Sequence, residues 1–179
     1  MLDISVAYNR YKFLGNGFLT WLWFMMDDDK TGLLEPHGDL ADLSIGNRVV
    51  LRNTTHNRDE VITIKGDGAG LEEGQTALRK GAVVTEINLV AKIGDNEWRF
   101  NVKGESLNIS SLKIPETGRI ETTEDVEGVV LEKIYLFEKA VKLLQELYQQ
   151  FIRLRVSPDW EKKTLRQMSK WIQKAASNS

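Results

Sequence analysis

The chain has 179 residues, of which 41% are hydrophobic and 28% charged, so it can bury a core and is not a disordered sequence. It has no cysteine and only two histidines, His37 and His56, which excludes disulfides, thiolate catalysis and histidine-rich metal sites. The formal net charge of −2 gives no overall attraction to nucleic acid or membrane. We expect no cofactor and no metal.

The first predicted element is an apolar helix at Gly17–Met26. It is hydrophobic nearly all round, which is typical of a buried helix or of one half of an interface, and Trp21 and Trp23 are its interface candidates. The whole apolar stretch, Phe13–Met26, is shorter than the ~20 residues that a membrane span needs. Neither a signal peptide nor a membrane anchor is therefore expected.

Three aspartates, Asp27–Asp29, are predicted to end this helix and to begin a polar loop that runs to about Asn47. The run from Asp27 to Gly32 imitates the start of a calcium-binding loop. The position that should hold its bidentate glutamate is Gly38, so a solvated acidic turn is favoured over a calcium site.

The middle of the chain predicts strands. From Val83 to Ile114 apolar and polar residues alternate, which predicts an antiparallel meander with one solvated face. The predicted strands are Arg48–Arg52, Val61–Lys65, Val83–Ile93, Glu97–Lys103 and Ser106–Ile114, with a short helix at Leu71–Lys80. The glycine-rich run Gly66–Gly70 lacks the third glycine of a dinucleotide-binding loop and precedes no parallel crossover, so a flexible turn is favoured over a nucleotide site.

The C-terminal part predicts a long apolar helix followed by a basic one. We divide the chain into an α+β domain at 1–115, an acidic linker at 116–127 and a helical hairpin or appendage at 128–179, which packs on the sheet or on a second subunit. Apolar residues at spacings of four and three predict a heptad seam: Val130, Ile134, Phe137, Val141, Leu144, Tyr148 and Phe151. Leu136, Ala140, Leu143 and Leu147 widen it, and Pro158 should open the last helix. Phe137, Leu144 and Phe151 are interface candidates for a homodimer.

Basic residues concentrate at the end of the chain, where residues 157–179 hold five basic and two acidic side chains. Such a surface can neutralise phosphates, although an ordinary solvated face is the alternative. The candidate DNA contacts are Lys92, Arg99 and Lys103 on the outward strand face, and Arg153, Arg155, Lys162, Lys163 and Arg166 near the C-terminus. No nucleophile or acid–base motif accompanies them, so we expect a protein that is not an enzyme.

Three segments of the chain resemble the recombination-associated protein RdgC family. They are KFLGNGFLTWLWF at Lys12–Phe24, LADLSIGNRVVLRN, and the stretch Leu71–Pro115, in which a short helix leads to VTEINL and a meander. The similarity covers about residues 12–150 and corresponds to the C-terminal half of the family. The basic helix after Pro158 has no counterpart in it.

The resemblance implies a bacterial, cytoplasmic and nucleoid-associated protein that binds duplex DNA with little sequence preference. Members of the family form ring-shaped dimers and restrain RecA-driven strand exchange. A closed ring needs contacts at both ends of each subunit, so ring formation is not carried over to a chain that matches half of the family. The alternative is a protein–protein interaction module that does not bind DNA.

Overall fold

The computed structural model describes residues 4–54, 59–66 and 71–174 and shows the predicted α+β fold. A five-stranded antiparallel sheet, in the order β2-β1-β3-β4-β5, has its helices on one face. The strands are β1 (Leu40–Asn53), β2 (Glu60–Lys65), β3 (Val83–Ile93), β4 (Asn96–Lys103) and β5 (Asn108–Lys113). The helices are α1 (Ile4–Asp28), α2 (Lys30–Leu34), α3 (Leu71–Arg79), α4 (Asp125–Arg155) and α5 (Leu165–Lys174), with a π-helical turn at Trp160–Thr164. His56 and most of the glycine-rich run, Asp67–Gly70, lie outside the described residues.

Helix α1 forms the centre of the core, which explains why its sequence is apolar all round. Every residue of Phe18–Met26 except the half-buried Thr20 is buried. One side of α1 packs on β3, while the ring of Phe18 lies 5.7 Å from that of Phe151 on α4. The ring of Trp23 lies 5.8 Å from that of Trp171 on α5. The segment Phe18–Met26 lies between a sheet and two helices, which suits its lack of charged side chains.

The predicted polar loop up to Asn47 is wrong, because α2 and the first part of β1 occupy it. Asp29 is the N-cap of α2 and accepts a hydrogen bond from the backbone N–H of Gly32 at 3.1 Å through its Oδ1 atom. The acidic turn therefore has a local structural use as a helix cap.

A β-bulge explains why the sequence pattern did not predict the first half of β1 as a strand. Ile45 pairs with Leu89 and Val49 pairs with Ile87, so three residues of β1 face one residue of β3. That residue is Asn88, whose Oδ1 atom accepts from the backbone N–H of Asn47 at 3.2 Å. The bulge breaks the alternation of buried and exposed residues on which strand prediction depends.

The long helix α4 is confirmed, but the buried face is rotated away from the predicted heptad seam. Val130, Ile134 and Phe137, which belong to that seam, are about half exposed. The residues that pack inward are Val129, Leu136, Ala140, Leu143, Leu144, Leu147 and Phe151. Leu136, Ala140, Leu143 and Leu147, which the sequence placed beside the seam, thus form most of the contact between α4 and the core.

Four of the five interface candidates lie inside the core of the chain. Trp21, Trp23, Leu144 and Phe151 are buried, whereas Phe137 is 51% exposed. Side chains packed inside one subunit are not available to a second subunit, so in this fold these four are core residues. Phe137 alone remains on the surface.

Two polar contacts fix the position of α4. The indole Nε1 of Trp98 on β4 donates to the backbone carbonyl of Leu136 at 2.9 Å, which joins the middle of the helix to the sheet. At the start of α4, the carboxylate of Asp125 accepts from the backbone N–H groups of Glu121 and Thr122 and from the Thr122 hydroxyl. These donors lower the pKa of Asp125, and the backbone N–H of Thr122 has the largest effect.

Pro158 lies in the turn before the π-helical segment rather than at its first position.

Candidate nucleic-acid interface

The three predicted cations of the sheet lie together on its outward face, where acidic residues oppose them. The Nε of Arg99 donates to Glu97 at 2.8 Å, and the Nζ of Lys92 lies 3.8 Å from the same carboxylate. Lys103 pairs in register with Glu86 across the β3–β4 ladder. Glu97 serves two of these cations and Glu86 lies beside the third, so acidic neighbours offset part, but not all, of the positive charge that this face offers to a phosphate backbone.

Glu86 also pairs with a fourth cation, which is not among the predicted DNA contacts. Its Oε1 lies 3.3 Å from the guanidinium of Arg48 on β1. Between the two acidic positions, Asn88 donates to the side chain of Asn101 at 2.6 Å. The centre of the outward face is thus a row of side chains that bind one another.

The C-terminal cations form a different kind of surface, with no acidic partner within ion-pair distance among the described residues. This basic stripe consists of Lys162, Lys163, Arg166, Lys170 and Lys174, all exposed. Four of them recur at intervals of three or four residues, which places them on one side of a helix. The segment from Lys162 to Lys174 contains no aspartate or glutamate.

The opposite side of the same helix anchors the basic stripe to the core. Thr164, Met168 and Trp171 are buried. The indole Nε1 of Trp171 donates to Asp27 at 2.5 Å, and its ring makes edge contacts with Trp23 and Phe24. A helix held this firmly on one face presents its cations in a fixed geometry.

The π-helical turn carries the first two cations of the basic stripe. Its widened hydrogen bond runs from the N–H of Leu165 to the carbonyl of Trp160. π-helical turns are rare in proteins, and those that exist are frequently located at functional sites. Trp160 itself is buried, and the guanidinium of Arg155 lies 5.0 Å from the centre of its ring.

The structure therefore places the predicted C-terminal contacts at three different locations. Lys162, Lys163 and Arg166 belong to the basic stripe, which Lys170 and Lys174 extend by two further turns. Arg155 is half-buried on Trp160 and stabilises the corner between the helices. Arg153 is part of α4 and lines a cleft between this helix and the segment 36–40 that follows α2. The interval of four between Arg166, Lys170 and Lys174 was the sequence signal that could have added the last two.

Comparison with known protein families finds no family model that matches the chain, and no curated protein matches it. The similarity to the RdgC family therefore stays a prediction. No helix in the described part of the chain is long and apolar enough to cross a membrane. Within the same residues, no three histidine, aspartate or glutamate side chains are grouped so as to hold a metal ion.

Proposed function

We propose that the chain is a non-enzymatic protein that binds duplex DNA without sequence preference through the basic stripe. The observation that carries the proposal is a row of five exposed cations, free of acidic partners in the described residues, on a helix anchored in the core. From Lys163 to Lys174 the helix rises about 16 Å, which spans several phosphates of one DNA strand. Lysine and arginine contacts to phosphates carry affinity and position but no sequence information.

The resemblance to the RdgC family adds a biological setting to this proposal. It implies a cytoplasmic protein at the nucleoid that restrains RecA-dependent recombination. The net charge of −2 does not oppose such a role, because the charge that DNA meets is the local one.

The DNA-binding test compares two triple substitutions that remove the same charge. We expect Lys163→Gln/Arg166→Gln/Lys170→Gln to weaken binding to a fluorescent duplex by at least about tenfold at low salt. The slope of log affinity against log salt should fall by roughly two to three, since three phosphate contacts are lost. Fluorescence anisotropy from low to moderate salt measures both quantities.

The matched control is Lys92→Gln/Arg99→Gln/Lys103→Gln on the sheet, which should lose less binding than the stripe variant because Glu97 and Glu86 already offset part of the charge of these cations. A larger loss in the sheet variant than in the stripe variant would move the interface to the sheet. No binding of any duplex at low salt would end the DNA proposal.

A second candidate function, self-association, rests on the exposed apolar face of α4. This face consists of Val126, Val130, Leu131, Ile134, Tyr135 and Phe137, each between 40% and 58% exposed. Side chains of this size present roughly 600 Å² per copy, at the upper end of what a typical monomer exposes in one patch. Two copies would together bury about 1,200 Å², which exceeds the ~1,000 Å² expected of a specific interface.

A second copy in antiparallel orientation fits the charges of this face. The first turn of α4 carries Asp125 and Glu127, while Lys139 and Lys142 lie about four turns later. In an antiparallel pair centred on Ile134, the acidic turn of each copy lies beside the lysines of the other. Opposite charges at both ends favour this arrangement over a parallel one.

The self-association test uses Ile134→Asp/Phe137→Asp, which we expect to turn a dimer into a folded monomer. Sedimentation gives the mass and circular dichroism reports the helix content. Val156→Asp is the control, since Val156 is exposed but lies beyond the end of α4. An unchanged protein that sediments as a monomer at high concentration would contradict the proposal.

A further inference from the structure

A cleft of about 660 Å³ lies between α4 and the segment 36–40. Its apolar lining comes from Leu40, Ile93 and Leu143, while charged and amide side chains of α4 line it at intervals of three or four residues. The volume is that of a small-molecule site, and charged or amide side chains make up more of its lining than apolar ones do, which suits a ligand with an anionic group. The basic stripe and the six apolar residues of the exposed face of α4 do not line this cleft, although Lys139 and Lys142 do.

The imidazole of His37 is held in place at one wall of the cleft. Its side chain is only 8% exposed, and its Nε2 lies 2.9 Å from the Oε1 of Gln150. Gln150 in turn donates through its Nε2 to the backbone carbonyl of Gly32 at 3.2 Å. With the amide in this orientation, Nε2 of His37 donates to Gln150. The other ring nitrogen, Nδ1, lies 3.8 Å from the carboxylate of Glu146.

The charges around the cleft leave it positive. Its lining contains three cations and two acidic residues: Lys139, Lys142 and Arg153, and Asp39 and Glu146. Glu146 lies 3.8 Å from Lys142, whereas Arg153 has no ion-pair partner among the described residues. Gln149 and Gln150 lie one helical turn before Arg153, so a guanidinium and amide groups meet at the same end of the cleft.

We propose that this cleft binds a small phosphate monoester whose body includes a flat aromatic ring, the face of which is apolar. The phosphate would lie at Arg153, because the guanidinium offers two parallel N–H donors to its oxygens. A phosphate monoester carries a charge of about −1.5 to −2 near neutral pH. A cleft with more than one cation therefore suits a phosphate better than it suits a ligand with one carboxylate. The body of the ligand covers the apolar lining at Leu40, Ile93 and Leu143.

The test uses adenosine 5′-monophosphate as the added monoester, with adenosine and inorganic phosphate as partial ligands. We expect saturable shifts in the amide NMR spectrum at segment 36–40 and along α4 between Lys139 and Arg153. Adenosine and inorganic phosphate should each bind at least about tenfold more weakly, since each lacks one of the two groups recognised. Arg153→Gln should weaken binding of the monophosphate by at least about fivefold.

Lys163→Gln/Arg166→Gln/Lys170→Gln is the control, and it should leave monophosphate binding unchanged while it weakens DNA binding. The two proposals can therefore fail separately. Adenosine that binds as tightly as its monophosphate would overturn the phosphate site. Unsaturable shifts, shifts confined to the basic stripe, or an unaltered affinity in Arg153→Gln would overturn it as well.

Discussion

Gly15→Ala should destabilise the fold by about 3 kcal/mol or more. A Cβ atom placed on Gly15 would lie 1.6 Å from the carbonyl oxygen of Gly104 and 2.6 Å from its carbonyl carbon. Both are backbone atoms of the turn between β4 and β5, so no side-chain rotation relieves the overlap. Either α1 or the turn must move, and the buried residues that follow Gly17 in α1 pack against the sheet and two helices. Urea denaturation followed by circular dichroism measures the loss.

Gly17→Ala is the matched control, because the same change two residues later causes no overlap. The nearest atom to its added Cβ is Cζ of Phe151 at 3.7 Å, an ordinary van der Waals contact. Removing a glycine from a helix interior should then stabilise the protein by up to about 1 kcal/mol. The two substitutions are expected to shift the urea midpoint in opposite directions. A Gly15→Ala protein as stable as the unchanged one would mean that α1 does not contact the turn.

The sequence around these glycines shows why contacts between distant segments escape prediction. Gly15, Asn16 and Gly17 interrupt an apolar run, and this composition identifies neither a partner nor which glycine needs one. The partner of Gly15 is Gly104, about ninety residues later in the chain. A helix was predictable from the residues that follow, but its closest approach depends on where the meander turns.

Strands were predictable where burial alternates and were missed where a bulge breaks the alternation. The β4 pattern of buried Trp98, Phe100 and Val102 is confirmed. The first half of β1 was not predicted, because its bulge opposite Asn88 places Gly46 and Asn47 where a turn would be expected. Gly46 is suited to the bulge, since a Cβ there would lie 1.9 Å from the Oδ1 of Asn88.

Charge at the candidate site was predictable as a cluster but not as a surface. The absence of acidic residues from Lys162 to Lys174 is visible in the sequence and is the main property of the basic stripe. On the sheet, Glu97 lies two residues before Arg99 on the same strand face, and this period-two spacing could have signalled their ion pair. The contact of Trp171 with Asp27 joins residues far apart in the chain and required the fold.

Phe151→Ala should destabilise the protein by about 3–5 kcal/mol. Phe151 is 1% exposed, and its ring lies within about 6 Å of those of Phe18, Trp21, Tyr148 and Trp160. Truncation leaves a cavity where α1, α4 and the π-helical turn meet, and the surrounding rings are too rigid to fill it. The urea midpoint of the variant, with an unchanged slope, gives the loss in free energy of unfolding.

Phe137→Ala separates the two roles that the heptad spacing assigned to one seam. Phe137 lies on the same helix, four turns earlier, but its side chain is 51% exposed. At a protein concentration low enough to keep the chain monomeric, its truncation should change the stability by less than about 1 kcal/mol. Equal losses in the two variants would mean that both phenylalanines are core residues, and the rotation of the buried face away from the heptad seam would then be wrong. A small loss in both would remove Phe151 from the core and return it to the surface as an interface residue. Only a large loss at Phe151 with a small one at Phe137 agrees with a helix whose buried face follows Leu136, Ala140, Leu143 and Leu147.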